Sequence, residues 1–585
     1  MEREQPAFWE KHPRHLLLIG IGFLVYFNGL FGAFIWDDIS QIKDNYIIQS
    51  LSNIPGFFLQ GTFVPTTSEK LMGGFYRPLM TTWFSIIYAL FGLQPFFFHF
   101  FQLILHILNT LLVFVFLKKL LKEKLAFFLA LVFLVHPMNV HVVSYISAVN
   151  DPLYFFFGIL ALVISAKEHI SRKRAVAIGL LLLCSLLSKE TGVLFLIILV
   201  VYQVIFRYRK FHRAQTVLLA VVPFLVFVYL RFVVAKMVLV QKLHDVPIRA
   251  IALSQRVFTM PAIVLYYLKT FFFPKDSFDM QYWVVTRPGE QFYAPLLLDS
   301  VFFLGITLFG VWIYRKRNNL FSLFLFFTIW FLIGVGLHMQ LLPLDFTVSD
   351  SWFYFPMVGI LGMTGIALET VQHPSVRLRN IATVVTIAVL ILFSLRSIIQ
   401  NTYWQDGLSL YNYNMQNINH SERVETKLAL ELESEGRLDE AWKLFENLVT
   451  RYPVGSGTND TLVTNYERVM LVGSLATLDY SKGDIPQAKA WYDKILEKDG
   501  GEAYAALALI AVKREGNPQE AKNLAVKGLQ KYPTNPDLWE MLALADYTLG
   551  NRQDALIEAK KATDILPSPG KKDFYNRILN NDIQL

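Results

Sequence analysis

One cysteine, Cys184, stands among 585 residues. It cannot build an internal disulfide framework or a cysteine-based zinc site. It lies in the run LLLCSLL, where a thiol packs as a small apolar side chain. Charge is equally scarce: Asp, Glu, Lys and Arg make up 17% of the chain, against 54% hydrophobic and 15% aromatic residues. That balance argues against a soluble single-core protein and for a chain that crosses a membrane repeatedly. The first apolar run has no small-residue cleavage site behind it, so it reads as a retained anchor.

The net charge of +8 is not a nucleic-acid signature, because the basic residues punctuate the apolar runs. They fall at 118–124, at Lys167 with Arg172, Lys173 and Arg174, at 207–213, at 315–317, and at Arg377 with Arg379. Lys and Arg gather on the cytoplasmic side of a membrane. With Arg3, Lys11 and Arg14 ahead of the first run, the pattern predicts a cytoplasmic N-terminus and about eleven spans. These lie near 16–35, 95–117, 125–138, 152–166, 175–187, 191–206, 216–235, 299–314, 320–339, 352–370 and 380–396. The odd count carries everything after Arg396 out of the cytoplasm. Residues 257–273 break the charge pattern if they cross, so they read as an interfacial or re-entrant piece with Tyr266 and Tyr267 at the boundary. The stretch 77–92 reads as lying on the outer surface.

Past Arg396 the composition changes. Gly436, Gly483, Gly516 and Gly550 are spaced by 47, 33 and 34 residues, each followed five residues later by Ala (441, 488, 521, 555). Steps near 34 residues match tetratricopeptide repeats, and the insertion 454–460 lengthens the first. The expected architecture is all-α, with a membrane body over 1–400, a linker over 401–420 and a repeat solenoid over 421–585. Concave repeat surfaces bind peptides or proteins more often than they catalyse.

Trp36, Asp37 and Asp38 follow directly on the first apolar run. Carboxylates at a membrane edge are costly to desolvate, which makes the pair a site candidate; helix termination is the alternative. His136 and His141 also fall on the outer side. Without a carboxylate cluster they make a poor metal site, so no metal or resident cofactor is expected.

The chain resembles the GT-C superfamily of lipid-dependent glycosyltransferases, and within it the transmembrane and tetratricopeptide-repeat O-mannosyltransferase family. The resemblance rests on FIWDDISQI (34–42), YRPL (76–79), FHFFQLILHILN (98–109), FLVHPMNVHVVSYISAVNDPL (133–153), LLSKETG (186–192), YYLKTFFFP (266–274) and SDSWFYFPMVG (349–359), in order. It departs at Asp350–Ser351, where relatives usually carry an acidic–basic pair. A phosphate contact at Ser351 is therefore not carried over.

The resemblance implies a polyprenyl-phosphate sugar as donor, mannose as the sugar, and a protein or peptide hydroxyl as acceptor outside the cytoplasm. Membrane lipids are the surroundings, and no nucleic acid is involved. Such a transfer needs a base, and Asp37 suits that task, with Asp38 orienting the acceptor or tuning its neighbour. Arg77 and Lys189 are candidates for the donor phosphate. Equally, Lys189 can pair with Glu190, and Arg77 can anchor at the interface. Asp151 either orients Lys189 or a histidine, or caps a helix. Trp36, His136, His141, Asp151, Glu190, Asp350 and Tyr354 complete the expected pocket. A single displacement implies inversion at the sugar carbon. Transfer to a lipid-linked glycan or envelope lipid, or a non-catalytic scaffold, are the alternative readings.

Overall fold

The computed structural model describes residues 13–62, 74–166, 171–207, 213–237, 247–275, 283–371, 375–417, 422–453, 465–496, 498 and 501–583. Among these residues there is no strand, and every regular element is helical. Arg3, Lys11, Lys167, residues 208–212 and the insertion 454–460 lie outside the described residues.

Among the described residues seven helices are long and apolar enough to cross a bilayer: Pro13–Phe31, Pro95–Leu117, Ile146–Ser165, Glu290–Lys316, Asn318–Leu337, Asp350–Thr370 and Val376–Tyr403. The protein is thus a multi-pass membrane protein. Glu123–Val135 and Pro137–Ser144 make an eighth span if taken together, bent by 52°. The bend has a local cause. Pro137 offers no N–H, and its ring drives the preceding residue out of the helical region. His136 accordingly sits at φ −67°, ψ 127°. The stretches expected at 175–187 and 191–206 form helices of 17 residues or fewer, and at 216–235 the apolar part, Leu218–Val234, of the helical segment Arg213–Val234 is as short. At 1.5 Å per residue that is about 25 Å, short of a hydrocarbon core of about 30 Å. The eleven expected spans therefore resolve into full-length helices, one bent pair and three short helices. The piece read as interfacial is a 20-residue helix, Leu253–Phe272, with Pro261 inside it.

Interior polar groups fasten the spans to one another. The Tyr354 hydroxyl lies 2.9 Å from His106 Nδ1 and accepts from the Asn109 amide at 3.2 Å. His106 Nε2 faces the Leu134 carbonyl at 3.0 Å, and Asn109 donates to the Pro152 carbonyl at 2.8 Å. Such bonds join helices where lipid offers no alternative partner. Close approach also needs a missing side chain: a Cβ on Gly359 would meet the Phe331 backbone nitrogen at 2.5 Å.

The C-terminal region forms four helix hairpins: Glu422–Ser434 with Leu438–Arg451, Asn465–Lys482 with Ile485–Ile495, Glu502–Lys513 with Pro518–Lys531, and Pro536–Thr548 with Arg552–Ile565. A last helix, Pro569–Asn580, follows. Each hairpin turns at one of the spaced glycines, Gly436, Gly483, Gly516 and Gly550, all with φ between 62° and 87°. Only glycine takes that left-handed region without strain. Ala441, Ala488, Ala521 and Ala555 are fully buried between the paired helices. The hairpins join the membrane body through helix Gly407–Asn417, which packs on Glu422–Ser434.

Candidate functional site

The acidic pair lies between the end of the first span and a wide π-type turn, Ile39–Lys43. Trp36 turns the chain there with φ 52°. A bulky residue in the left-handed region costs roughly 1–2 kcal/mol, so neighbouring contacts must hold it. Its indole stacks on Tyr145 at 5.3 Å and meets Phe346 edge-on at 5.7 Å. The two aspartates then part company. Asp38 is fully buried; one oxygen accepts from the Ser147 backbone N–H at 2.8 Å and hydroxyl at 2.5 Å, the other from the Ile35 N–H at 3.2 Å. Burial pushes its carboxyl up to about 7, with the hydrogen bonds pulling the other way and Asp37 adding to the rise. Asp37 is half-exposed at the mouth of the loop.

Aromatic rings continue the wall beside the acids. Tyr145 stacks on His141 at 5.4 Å, and His141 on Trp404 at 5.0 Å. With Trp36 this makes a column of four rings from three separated parts of the chain. Trp404 ends the last span, and the neighbouring Gln405 carbonyl receives the Ala33 N–H at 2.7 Å.

A second cluster gathers charge. Lys189 is buried and donates to Asp151 at 2.6 Å. Burial lowers its pKa, Asp151 opposes this, and Arg77 adds to the fall. Glu190 takes Arg77 Nε at 3.1 Å on one oxygen and Arg231 at 2.7 Å on the other. The Tyr76 backbone N–H lies 3.3 Å from that second oxygen. Burial raises the Glu190 pKa, but Arg77 and Arg231 together outweigh it and bring it to about 2. Arg231 also donates to the Gly74 carbonyl at 2.6 Å. It sits in a π-type turn, Tyr229–Val234, which widens the helix where the guanidinium must reach outward.

The two clusters are anchored on one helix. Ser147 holds Asp38, and Asp151, four residues on, holds Lys189. That offset is about 6–8 Å along the axis. The segment 338–353 reaches both sides. Phe346 touches Trp36, while burial lowers His338 to about 3 with the charge of Lys189 contributing. Gln340 shapes this segment by donating to the Phe346 and Thr347 carbonyls at 2.7 and 3.0 Å.

The structure thus brings together Trp36, Asp37, Asp38 and His141 on one side, and Arg77, Asp151, Lys189 and Glu190 on the other. Both open readings of Lys189 and Asp151 resolve toward each other: they form the ion pair, and Glu190 belongs to the arginines. Other residues expected in the pocket sit elsewhere. His136 is enclosed between Phe271 and Phe393. Its Nδ1 accepts from the Met138 N–H, so Nε2 carries the proton and donates to the Phe271 carbonyl at 2.9 Å. Tyr354 lies in the interhelical network described above. Asp350 is buried and accepts from the Tyr266 hydroxyl at 2.8 Å, while Tyr267 donates to the Ser349 carbonyl. Those tyrosines, expected at a boundary, tie helix Leu253–Phe272 to the segment at Ser349–Asp350. Sequence reasoning missed Arg231, although an arginine inside the apolar run 216–235 is itself a signal. Nothing in the sequence singled out Ser147.

The described residues thus form an all-helical, multi-pass body with an acidic loop and a cationic cluster tied to one helix. Residues 76–231 match the family described as Dolichyl-phosphate-mannose-protein mannosyltransferase. Protein O-mannosyl-transferase F38B6.6 of Caenorhabditis elegans is 23% identical over 464 residues, 75% of this chain and 62% of the relative. Human Protein O-mannosyl-transferase TMTC1 is 34% identical over 148 residues, 25% of this chain and 17% of the relative. Human TMTC2 is 30% identical over 208 residues, 34% and 24% respectively. The resemblance to the transmembrane and tetratricopeptide-repeat O-mannosyltransferases is shown by these matches. The chain spans 62% of the worm relative's length and smaller shares of the human ones.

Proposed function

We propose that this protein transfers mannose from a polyprenyl phosphate to a hydroxyl of a protein acceptor on the extracytoplasmic side of the membrane. The observation that carries the reading is the pairing of Ser147 with Asp38 and of Asp151 with Lys189 on successive turns of one helix. One turn of that helix holds the loop that carries Asp37, a half-exposed carboxylate, and the next holds a cluster with one positive charge in excess: Arg77, Lys189 and Arg231 against Asp151 and Glu190.

In this reading the acceptor hydroxyl gives its proton to Asp37 as its oxygen attacks the anomeric carbon. The bond from that carbon to the phosphate oxygen breaks, and the electron pair leaves on the phosphate. Arg77 and Arg231 meet the oxygens, and Lys189 acts through its field from behind Asp151. Attack opposite the leaving group inverts the carbon. Asp38 is a positioning residue, and the column Trp36–Tyr145–His141–Trp404 offers flat faces on which a sugar ring rests. Names of the relatives that contain protein O-mannosyl-transferase support the acceptor class.

We read 1–400 as the catalytic body and 421–585 as tetratricopeptide-type repeats that present the acceptor, with 401–420 between them. The N-terminus faces the cytoplasm, following the Lys/Arg loops. The test is incubation of membranes holding the full chain with radiolabelled polyprenyl-phosphate mannose, followed by separation of lipid from protein. Label should pass to protein in the wild type and not in Asp37→Asn. Equal label in both would remove the reading.

A further inference from the structure

Glu190 occupies the place an anion would take. Its two oxygens are each held by a different guanidinium, and a backbone N–H points at one of them. Glu190 and the groups that hold it come from three separated pieces of chain: the turn after Arg172–Ser188, the segment before helix Pro78–Phe91, and the π-type turn Tyr229–Val234. The arginine side chains are 14% and 7% exposed, whereas the Glu190 side chain is 30% exposed. Glu190 is therefore the most exposed side chain of the three. Arg77 is braced by the face of Phe75 at 4.2 Å, and Arg231 by the Gly74 carbonyl. Each guanidinium thus has a contact that does not depend on the carboxylate.

We propose that Glu190 is a displaceable stand-in for the lipid-linked phosphate, and that Arg231 is a phosphate-binding residue alongside Arg77. This rests on the reading given under Proposed function and assigns how its leaving group is handled. The donor is a phosphodiester with one negative charge, which the cluster's single excess positive charge matches. Bond breaking turns it into a monoester with up to two, since a second proton leaves near pH 6. The extra charge is met when the Glu190 carboxylate yields Arg77 and Arg231 to the phosphate oxygens. A return of Glu190 to the arginines then expels the spent lipid phosphate. Like charges cannot share the cradle, so acid and phosphate take turns in it.

The experiment uses the full chain in lipid nanodiscs and a sugar-free probe, farnesyl phosphate, with farnesol as the uncharged control. Arg231→Gln should weaken farnesyl phosphate binding at least tenfold, and Arg231→Lys should recover only part of it, because an ammonium cannot bridge two oxygens. Glu190→Gln should tighten binding several-fold and slow release. Farnesol affinity should not move in any variant. The double variant Arg231→Gln with Glu190→Gln keeps a neutral hydrogen-bonded pair, should melt like the wild type, and should still bind the phosphate weakly. Unchanged phosphate affinity in Arg231→Gln or in that double variant overturns the proposal, as does weaker binding in a Glu190→Gln protein that melts normally. If the binding pattern holds while no variant transfers mannose, the cradle stands and the proposed reaction falls. If mannose transfer is seen and Arg231→Gln both binds and transfers like the wild type, the cradle falls and the reaction stands.

Discussion

Asp38 and Ser147, 109 residues apart, are joined by two hydrogen bonds into one carboxylate oxygen, from the backbone N–H at 2.8 Å and the hydroxyl at 2.5 Å. Adjacent acids of identical type thereby acquire different surroundings. Asp38 has its lone pairs committed to protein donors, so it fixes the loop. Asp37 is carried by that loop to the mouth.

The first prediction separates the two. Asp37→Asn keeps shape and removes the proton acceptor, and transfer should fall by about 10²–10⁴-fold, the usual effect of a lost general base. Donor binding should survive. Asp38→Asn should also slow transfer, but through the loop. Ser147→Ala added to Asp38→Asn should then cost little more, while Ser147→Ala and Asp37→Asn should multiply. A double-mutant cycle on transfer rate reads the coupling directly. Full multiplicativity of Asp38→Asn with Ser147→Ala would show that the tie does not act on the reaction.

The second prediction is a pH dependence with two signs. Asp38 is raised from 3.8 to about 7, so the fold prefers its neutral form. Its contribution is complete below about pH 4 and is lost as pH rises through 7, for a span of about 4 kcal/mol. Glu190 is lowered from 4.5 to about 2. Its contribution is complete above pH 4.5 and is lost as pH falls toward 2. Melting of the protein in nanodiscs should therefore decline between about pH 4 and 7 in the wild type and flatten in Asp38→Asn. A decline of the same steepness in both would place the titrating group elsewhere.

The buried pair Lys189–Asp151 yields a third prediction. Removing one partner leaves an uncompensated charge, which costs about 3–5 kcal/mol, whereas replacing both by apolar groups is often neutral. Lys189→Met alone should lower the melting point sharply. Lys189→Met with Asp151→Leu should restore it. If Lys189 supplies only structure, the restored double variant should transfer mannose normally. The proposed reaction expects it to stay slow, with a raised KM for the lipid donor.

How much of this was legible in the sequence follows from the range of each interaction. Apolar runs and the glycine–alanine spacing are local, so helices and hairpins could be read directly. The bend at Pro137 shortened a span for a reason also written in one residue. Asp37 and Asp38 stood out because water-loving groups at a membrane edge are rare. Contacts across the chain were another matter. Histidine in a binding pocket and histidine satisfying a buried carbonyl look alike in sequence, and His136 does the latter. Ser147 carries no mark, since its role exists only once Asp38 is folded against it. Arg231 was hidden by an apolar run that was read for its length rather than for its exception.

The last prediction concerns the hairpins. Trp404 stacks on His141, and the Gln405 carbonyl binds Ala33, so the end of the last span belongs to the site. Beyond it, helix Gly407–Asn417 packs on the first hairpin. A chain ending after Asp406 keeps every residue placed in the two clusters and loses the four hairpins. If those hairpins present the acceptor, this shortened protein should still release mannose slowly from its polyprenyl phosphate, or pass it to a short Ser/Thr peptide at high concentration. Transfer to the natural protein should fall far more, because positioning rather than chemistry has been removed. The comparison that decides is the same truncation carrying Asp37→Asn. Should both release mannose at the same rate, the membrane body is not the catalyst. Should the truncated chain glycosylate intact protein as fast as the full one, the hairpins serve some end other than acceptor binding.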